Sequence, residues 1–235
     1  MKQNLTELVF ILDKSGSMSG LEQDTIGGFN SMLEKQKKEN SEAFVTTVLF
    51  DNNFELLHDR FNIRKIKPIT KKEYFVGGTT ALLDAMGNTI NRIGKILSES
   101  KEEERPEKVI FVIITDGMEN SSHEFTHSKI KQMIEQQKSK YSWDFIFLGA
   151  NIDAIKTASN IGISEDRAVN FCCDSMGTQL NYKVVSQAIS NFRQGNSVDS
   201  TWKDEIEKDY NTREKENSYK TGIDDKRDIK FNANM

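Results

Sequence analysis

The sequence predicts an α/β domain of the doubly wound kind, with a mostly parallel sheet, one antiparallel edge strand and helices on both faces. Three observations carry this. Strand-like and helix-like stretches alternate along the chain, the pattern of a parallel sheet covered on both sides. The strand stretches at residues 8–12 and 109–114 are unbroken apolar runs, as strands buried on both faces require. The helix stretches space their apolar residues for one helical stripe, as in Leu83, Met86, Ile90, Ile93 and Leu97.

Residues 8–12 form the first strand, and Ile26, Phe29 and Leu33 mark the stripe of the helix that follows. Residues 44–50 are a second strand. Asp51-Asn52-Asn53 supplies a turn that tolerates positive φ, and residues 54–57 return antiparallel as the hairpin partner. Beyond Pro68 and the Gly77-Gly78 break comes the helix with the Leu83 stripe. Residues 101–107 are a charged loop containing Pro106, and 109–114 should be central in the sheet. A helix around Ile130, Met133 and Ile134 leads to a strand at 143–148, closed by Gly149. Asn151 reads as a helix N-cap with Asp153 in the first turn. Residues 169–173 make a last short strand, and a final helix carries Leu180, Val184, Val185, Ala188 and Phe192. The domain is thus expected to span residues 1–195. From 196 to 235 apolar side chains thin out among charges of both signs, so a flexible or weakly helical tail is expected there.

At 235 residues there is room for one generous domain with an appendage. Its 36% hydrophobic and 29% charged residues are ordinary for a chain that buries a core. The net charge of −4, with Lys and Arg interleaved among Asp and Glu, argues against nucleic acid as a partner, which needs clustered cations. The apolar run before Asp13 is too short for a signal-peptide core or a membrane span. A cytoplasmic setting and no membrane partner are therefore expected. The two cysteines, Cys172 and Cys173, are adjacent and cannot staple distant parts of the chain. They are expected to lie buried in the last strand.

In a parallel sheet, ligands bind in the loops at the carboxyl ends of the strands. Asp13-Lys14-Ser15-Gly16-Ser17 directly follows the first strand, and Thr115-Asp116-Gly117 directly follows the 109–114 strand. Gly77-Gly78-Thr79-Thr80 lies just ahead of a helix and can reach the same edge. Asp13, Ser15 and Ser17 alternate along a short loop, and Gly16 permits tight curvature between them. With Thr79 and Asp116 they make three hydroxyls and two carboxylates. Hard oxygen ligands of this kind select Mg²⁺, or Mn²⁺ or Ca²⁺, over zinc, which prefers nitrogen and sulfur. Two carboxylates balance one dication, leaving it able to attract a further carboxylate from outside.

These segments resemble the metal-ion-dependent adhesion site of von Willebrand factor A domains: Asp-x-Ser-x-Ser after a first strand, a Gly-Gly-Thr loop, and Thr-Asp-Gly after a long apolar strand. The match spans roughly residues 5–195, with the strand and helix order agreeing. It is closest in kind to stand-alone bacterial and phage A-domain proteins, some relatives of which accompany tellurite-resistance and stress operons. The resemblance implies a Rossmann-like fold. It implies that Ser15, Ser17 and Thr79 bind the ion directly and that Asp13 and Asp116 act directly or through water. Thr79 is preferred to Thr80 as the first hydroxyl after the glycine pair. It further implies a non-enzymatic protein-binding module in which a partner protein's Asp or Glu completes the coordination. Asp84, one turn into the following helix, is placed either to orient a ligand or as a surface acid. Lys14, Met18, Glu119 and Asn120 are expected beside the ion, facing the partner, with Met18 a contact if exposed and core if buried.

Two other functions compete. His123-Glu124-Phe125-Thr126-His127 reads as H-E-x-x-H, the zinc-protease signature in which two histidines share a helix face. Here it follows Ser121-Ser122, where a helix is starting, and no third ligand follows; His58 is the remaining histidine. The match reads as accidental. A magnesium hydrolase centred on Asp13 would want a general acid two residues on, where Ser15 stands, and no nucleophile elbow or phosphate loop is present. The alternatives to binding are thus a metal-dependent hydrolase or a scaffold whose metal site is structural or vestigial.

Overall fold

The computed structural model describes residues 1–216. Six strands form one sheet in the order β3-β2-β1-β4-β5-β6. They are β1 (Lys2–Asp13), β2 (Glu42–Phe50), β3 (Phe54–Asn62), β4 (Pro106–Thr115), β5 (Asp144–Gly149) and β6 (Ala168–Asn170). Neighbouring strands run parallel except β3, which returns antiparallel to β2 at the sheet edge. The helices are α1 (Glu22–Gln36), α2 (Leu82–Glu99), α3 (His127–Tyr141), α4 (Ala154–Asn160), α5 (Ser175–Arg193) and α6 (204–216).

The two-residue period of a strand divides the core. On β1, Leu8, Phe10 and Leu12 point to the layer of α1 and α5, where Phe10 meets Phe29 edge to face at 5.4 Å. Val9 and Ile11 point to the layer of α2, α3 and α4. There Phe111 of β4 stacks on Trp143 and Phe145, with ring centres 5.4 and 4.9 Å away. Each fully buried side chain of this size contributes about 1.5–3 kcal/mol. Both faces of β1 and β4 are thus covered, and their apolar runs are the sequence consequence.

Several boundaries differ from the sequence expectation. β1 starts at Lys2, β3 continues to Asn62 and β4 includes Pro106 at its first position, where a missing N–H costs nothing. β6 ends at Asn170, which leaves Cys172 and Cys173 half-buried in the loop beyond it. Asn151 does not cap α4: it takes φ 55° in the preceding turn, and Asp153 is the cap, accepting from the Lys156 amide at 3.0 Å. In the stretch read as a tail, residues 204–216 are helical and the segment leading into them is anchored. Val198, Trp202 and Ile206, spaced four apart, put one apolar stripe on the α5 side of the core. Trp202 Nε1 donates to the Asp166 carbonyl at 2.8 Å, and the buried Lys203 ammonium to the carbonyls of Glu165 and Ala168 at 2.8 and 2.9 Å. The rest of that stretch, 217–235, lies outside the described residues. Among the described residues no helix is long and apolar enough to cross a membrane.

Candidate metal site

The connections leave β1 and β4 in opposite directions, so their carboxyl ends open the crevice where doubly wound sheets bind ligands. Leu12 pairs with Ile114, which brings Asp13 level with Thr115. Asp13 is almost fully buried, and its carboxylate is fixed from two sides. Its Oδ1 accepts the Ser15 amide at 2.7 Å and its Oδ2 the Thr115 hydroxyl at 2.6 Å. Its main-chain carbonyl accepts the buried Tyr74 hydroxyl at 2.6 Å. Beyond Ser15 the chain turns through a short 3-10 helix, Gly16–Met18, which folds Ser17 back over the strand end. The Ser15 and Ser17 hydroxyls then lie 3.0 Å apart, and Ser17 donates to Asp116 Oδ1 at 2.7 Å.

The glycine loop is tied alongside. The Gly77 amide donates to the Lys14 carbonyl at 2.9 Å and the Gly16 amide to the Gly78 carbonyl at 3.1 Å. Gly78 has φ +75°, and a Cβ there would lie 2.2 Å from Asn52 Oδ1, so only glycine fits. Thr79 is exposed, as Ser17 is, whereas Thr80 is buried. A Cβ placed on Gly117 would sit 3.3 Å from both Ser17 Oγ and Thr80 Oγ1. The structure therefore brings Asp13, Ser15, Ser17 and Asp116 together, and at Gly117 it sets the Thr80 hydroxyl beside that of Ser17.

Electrostatics fit this donor set to a dication. Burial pushes the Asp13 carboxyl pKa up, bonds from Ser15 and Thr115 oppose that, and the nearby Asp116 charge pushes it further up. Lys14 does not neutralise the pair. Its ammonium is buried away from the cluster, 2.8 Å from Glu55 Oε2 and 3.8 Å from Asp51, over the Phe75 ring. Holding anions near each other in a low-dielectric crevice is costly, and a bound cation inverts that cost. The hydroxyl and carboxylate oxygens present are the ligands that Mg²⁺, Mn²⁺ and Ca²⁺ take.

Sequence reading missed Cys173, whose Sγ lies 3.5 Å from Asp116 Oδ2. Burial, with Asp116 adding to it, pushes this thiol up to about 11, so it is an S–H donor to that carboxylate. Only the observed end of β6 places it there. Of the four residues expected to face a partner, Lys14 and Met18 are buried, and Met18 belongs to the core. Glu119 is half-buried, its carboxylate taken by the amides of Ser121, Ser122 and Leu83 and the Ser122 hydroxyl. Asn120 is exposed, as is its unpredicted neighbour Met118 at 71%. Asp84 neither touches the cluster nor stands free: it accepts the amides of His123, Glu124 and Phe125 at 2.7, 2.9 and 2.9 Å.

The H-E-x-x-H stretch does not form a helix face. The chain is irregular through Thr126, which caps α3 by accepting from the Lys129 amide at 3.3 Å, and α3 begins only at His127. His123 and His127 are both exposed. Among the described residues no three His, Cys, Asp or Glu side chains converge to hold a metal; the oxygen cluster relies on hydroxyls instead.

No protein-family model matches the sequence, and no curated protein matches it. Solved structures do. The von Willebrand factor type A protein from Catenulispora acidiphila aligns with a TM-score of 0.53 and 13% identity, over 81% of this chain and 43% of that one. A mutant of the PilB minor pilin from Streptococcus sanguinis aligns at 0.56 with 12% identity, over 86% of this chain and 63% of that one. Proximal thread matrix protein 1 from the mussel byssus, with a zinc-occupied MIDAS motif, aligns at 0.54 with 15% identity, over 81% and 47%. This chain spans less than two thirds of each. At such identities the likeness is one of fold. Sheet order, the antiparallel edge strand and these neighbours together show that the chain has the von Willebrand factor type A fold.

Proposed function

We propose that this protein is a divalent-cation-dependent protein-binding module. One observation carries the reading: a continuous run of oxygens, Ser15 Oγ to Ser17 Oγ to Asp116 Oδ1, lies at the switch point of the sheet, with links of 3.0 and 2.7 Å. Asp13 stands fixed beneath it and Thr80 beside it. In this reading the hydroxyls of Ser15, Ser17 and Thr80 hold the ion, Thr80 replacing Thr79, and Asp13 and Asp116 act directly or through water. The ion is Mg²⁺, Mn²⁺ or Ca²⁺. When bound, it supplies a positive centre with coordination positions open to an outside carboxylate.

The protein's own groups set up binding rather than bond breaking. Both Asp13 oxygens already accept hydrogen bonds, so Asp13 serves as a fixed acceptor and not as a mobile base. Ser17 is exposed, and so is Met118 in the loop after Asp116, which offers a partner a polar and an apolar contact. The partner is a protein presenting Asp or Glu. That it belongs to a bacterial stress or tellurite-resistance-type system is the part of the proposal resting on the resemblance to stand-alone A-domain proteins.

Calorimetric titration with Mg²⁺ and Mn²⁺ tests the ion, and capture of a partner by the immobilised protein with and without chelator tests the bridge. Binding of one ion, and capture lost with EDTA, are the expected results. A partner retained unchanged in chelator would overturn the bridging mechanism.

A further inference from the structure

We infer that Asn120 is a positioning residue for the cation site, holding the Thr80 hydroxyl in register with Asp116. This deepens the proposed function and rests on it for the cation itself. Asp13, Ser15 and Ser17 descend from the end of one strand, and Asp116 follows a strand paired beside it. Thr80 has no such support, because it lies in the irregular connection between β3 and α2. Its neighbours Gly78 and Ala81 bond to Gly16 and Asp51, but its own amide and carbonyl are both held by one residue. The Thr80 amide donates to Asn120 Oδ1 at 3.0 Å, and the Asn120 amide donates to the Thr80 carbonyl at 3.1 Å. These two bonds close a ring much as a paired strand would.

Asn120 sits four residues beyond Asp116, in the loop that also contains Gly117. That loop is rigidly seated on the start of α2. Glu119 takes the Leu83 amide at 2.9 Å, the Asp84 amide donates to Ser122 Oγ at 3.0 Å, and Asp84 takes three amides of the loop in return. Those bonds fix the loop, while the Asn120 side chain transmits its position to Thr80. The space at Gly117, bordered equally by Ser17 Oγ and Thr80 Oγ1, is the gap this register sets. Residues that orient ligands in this way typically change metal affinity 10–100-fold when lost.

The test compares Asn120→Ala, Asn120→Asp and Asn88→Ala in the full chain. Asp keeps an acceptor for the Thr80 amide. Asn88 bonds Glu124 of the same loop at 3.0 Å without touching Thr80, so its loss loosens the loop alone. Mn²⁺ affinity is read by paramagnetic resonance, and the Thr80 amide is followed by hydrogen exchange without cation. Asn120→Ala is expected to weaken Mn²⁺ about tenfold or more and to expose the Thr80 amide, at an unchanged cation-free melting temperature. Asn120→Asp should keep the amide protected, and Asn88→Ala should bind like the parent. Parent-like Mn²⁺ affinity in Asn120→Ala, or an equal loss in Asn88→Ala, overturns the inference. A parent protein that protects the Thr80 amide yet binds no Mn²⁺ overturns the proposed function, and with it any service of Asn120 to a cation.

Discussion

Two stretches of this chain carry metal-site signatures, and the fold treats them oppositely. Asp13, Ser15, Ser17 and Asp116 come from loops about 100 residues apart, yet hydrogen bonds of 2.7–3.0 Å join them. His123 and His127 are four residues apart and form nothing, because helix α3 begins at the second of them. Sequence proximity is therefore the poorer guide. The oxygen cluster inherits its geometry from strands whose pairing is fixed by a buried core, whereas the histidines depended on a single turn of helix. Asp84 takes the amides of residues 123–125, and the chain becomes helical only after Thr126, which caps α3.

The sharpest way to break this comparison is by substitution on each side. Asp13→Ala is expected to reduce Mg²⁺ and Mn²⁺ affinity about 100-fold or more, while the double change His123→Ala with His127→Ala leaves it as it was. Calorimetry decides it, and loss confined to the histidine variant would reverse the assignment. The next effect separates the two threonines. Thr80→Ala should weaken the ion about tenfold and Thr79→Ala less than twofold, measured in the same titration. Equal losses would remove Thr80 from the site.

A smaller effect is expected at Gly117. Gly117→Ala places a methyl 3.3 Å from the Ser17 and Thr80 hydroxyls, so they must shift by a few tenths of an ångström. Cation affinity should drop about threefold to tenfold with little change in melting temperature. Parent-like affinity would show that the two hydroxyls do not share one ion.

The smallest effect concerns the remaining histidine. His58 is buried at the sheet edge with Nδ1 3.0 Å from Thr47 Oγ1, and burial pushes its pKa down while Glu73 pulls weakly up. The unfolded imidazole takes a proton near 6.5 and the folded one only lower. Stability from this group is thus complete above pH 6.5 and lost as pH falls through the folded pKa. Subtracting the pH–stability curve of His58→Gln from that of the parent isolates it. A difference that grows on lowering the pH instead would contradict the burial.

Much of the molecule was legible beforehand. The alternation of apolar strands with helical stripes sufficed for the doubly wound sheet, since burial on both faces leaves a continuous apolar run. The order of the Asp-x-Ser-x-Ser, Gly-Gly-Thr and Thr-Asp-Gly segments sufficed to propose where the oxygens meet. Residue-level placement was less so. The choice between Thr79 and Thr80 turns on a left-handed Gly78 and two bonds from Asn120, and Lys14 looked free until Glu55 and Phe75 were seen to enclose it. Trp202 and Ile206 were lost among charges because a sparse apolar stripe matters only once a surface exists to receive it.

By itself, then, the sequence determined the strands, the helices and which loops share the carboxyl edge, because local periodicity records which faces are buried. Tertiary structure alone decided which side chain of each loop turns inward, that Cys173 approaches Asp116, and that Asp84 fastens a loop. Those outcomes depend on hydrogen bonds between segments distant in sequence, and no local pattern encodes the partner of an amide until the sheet has brought it within reach.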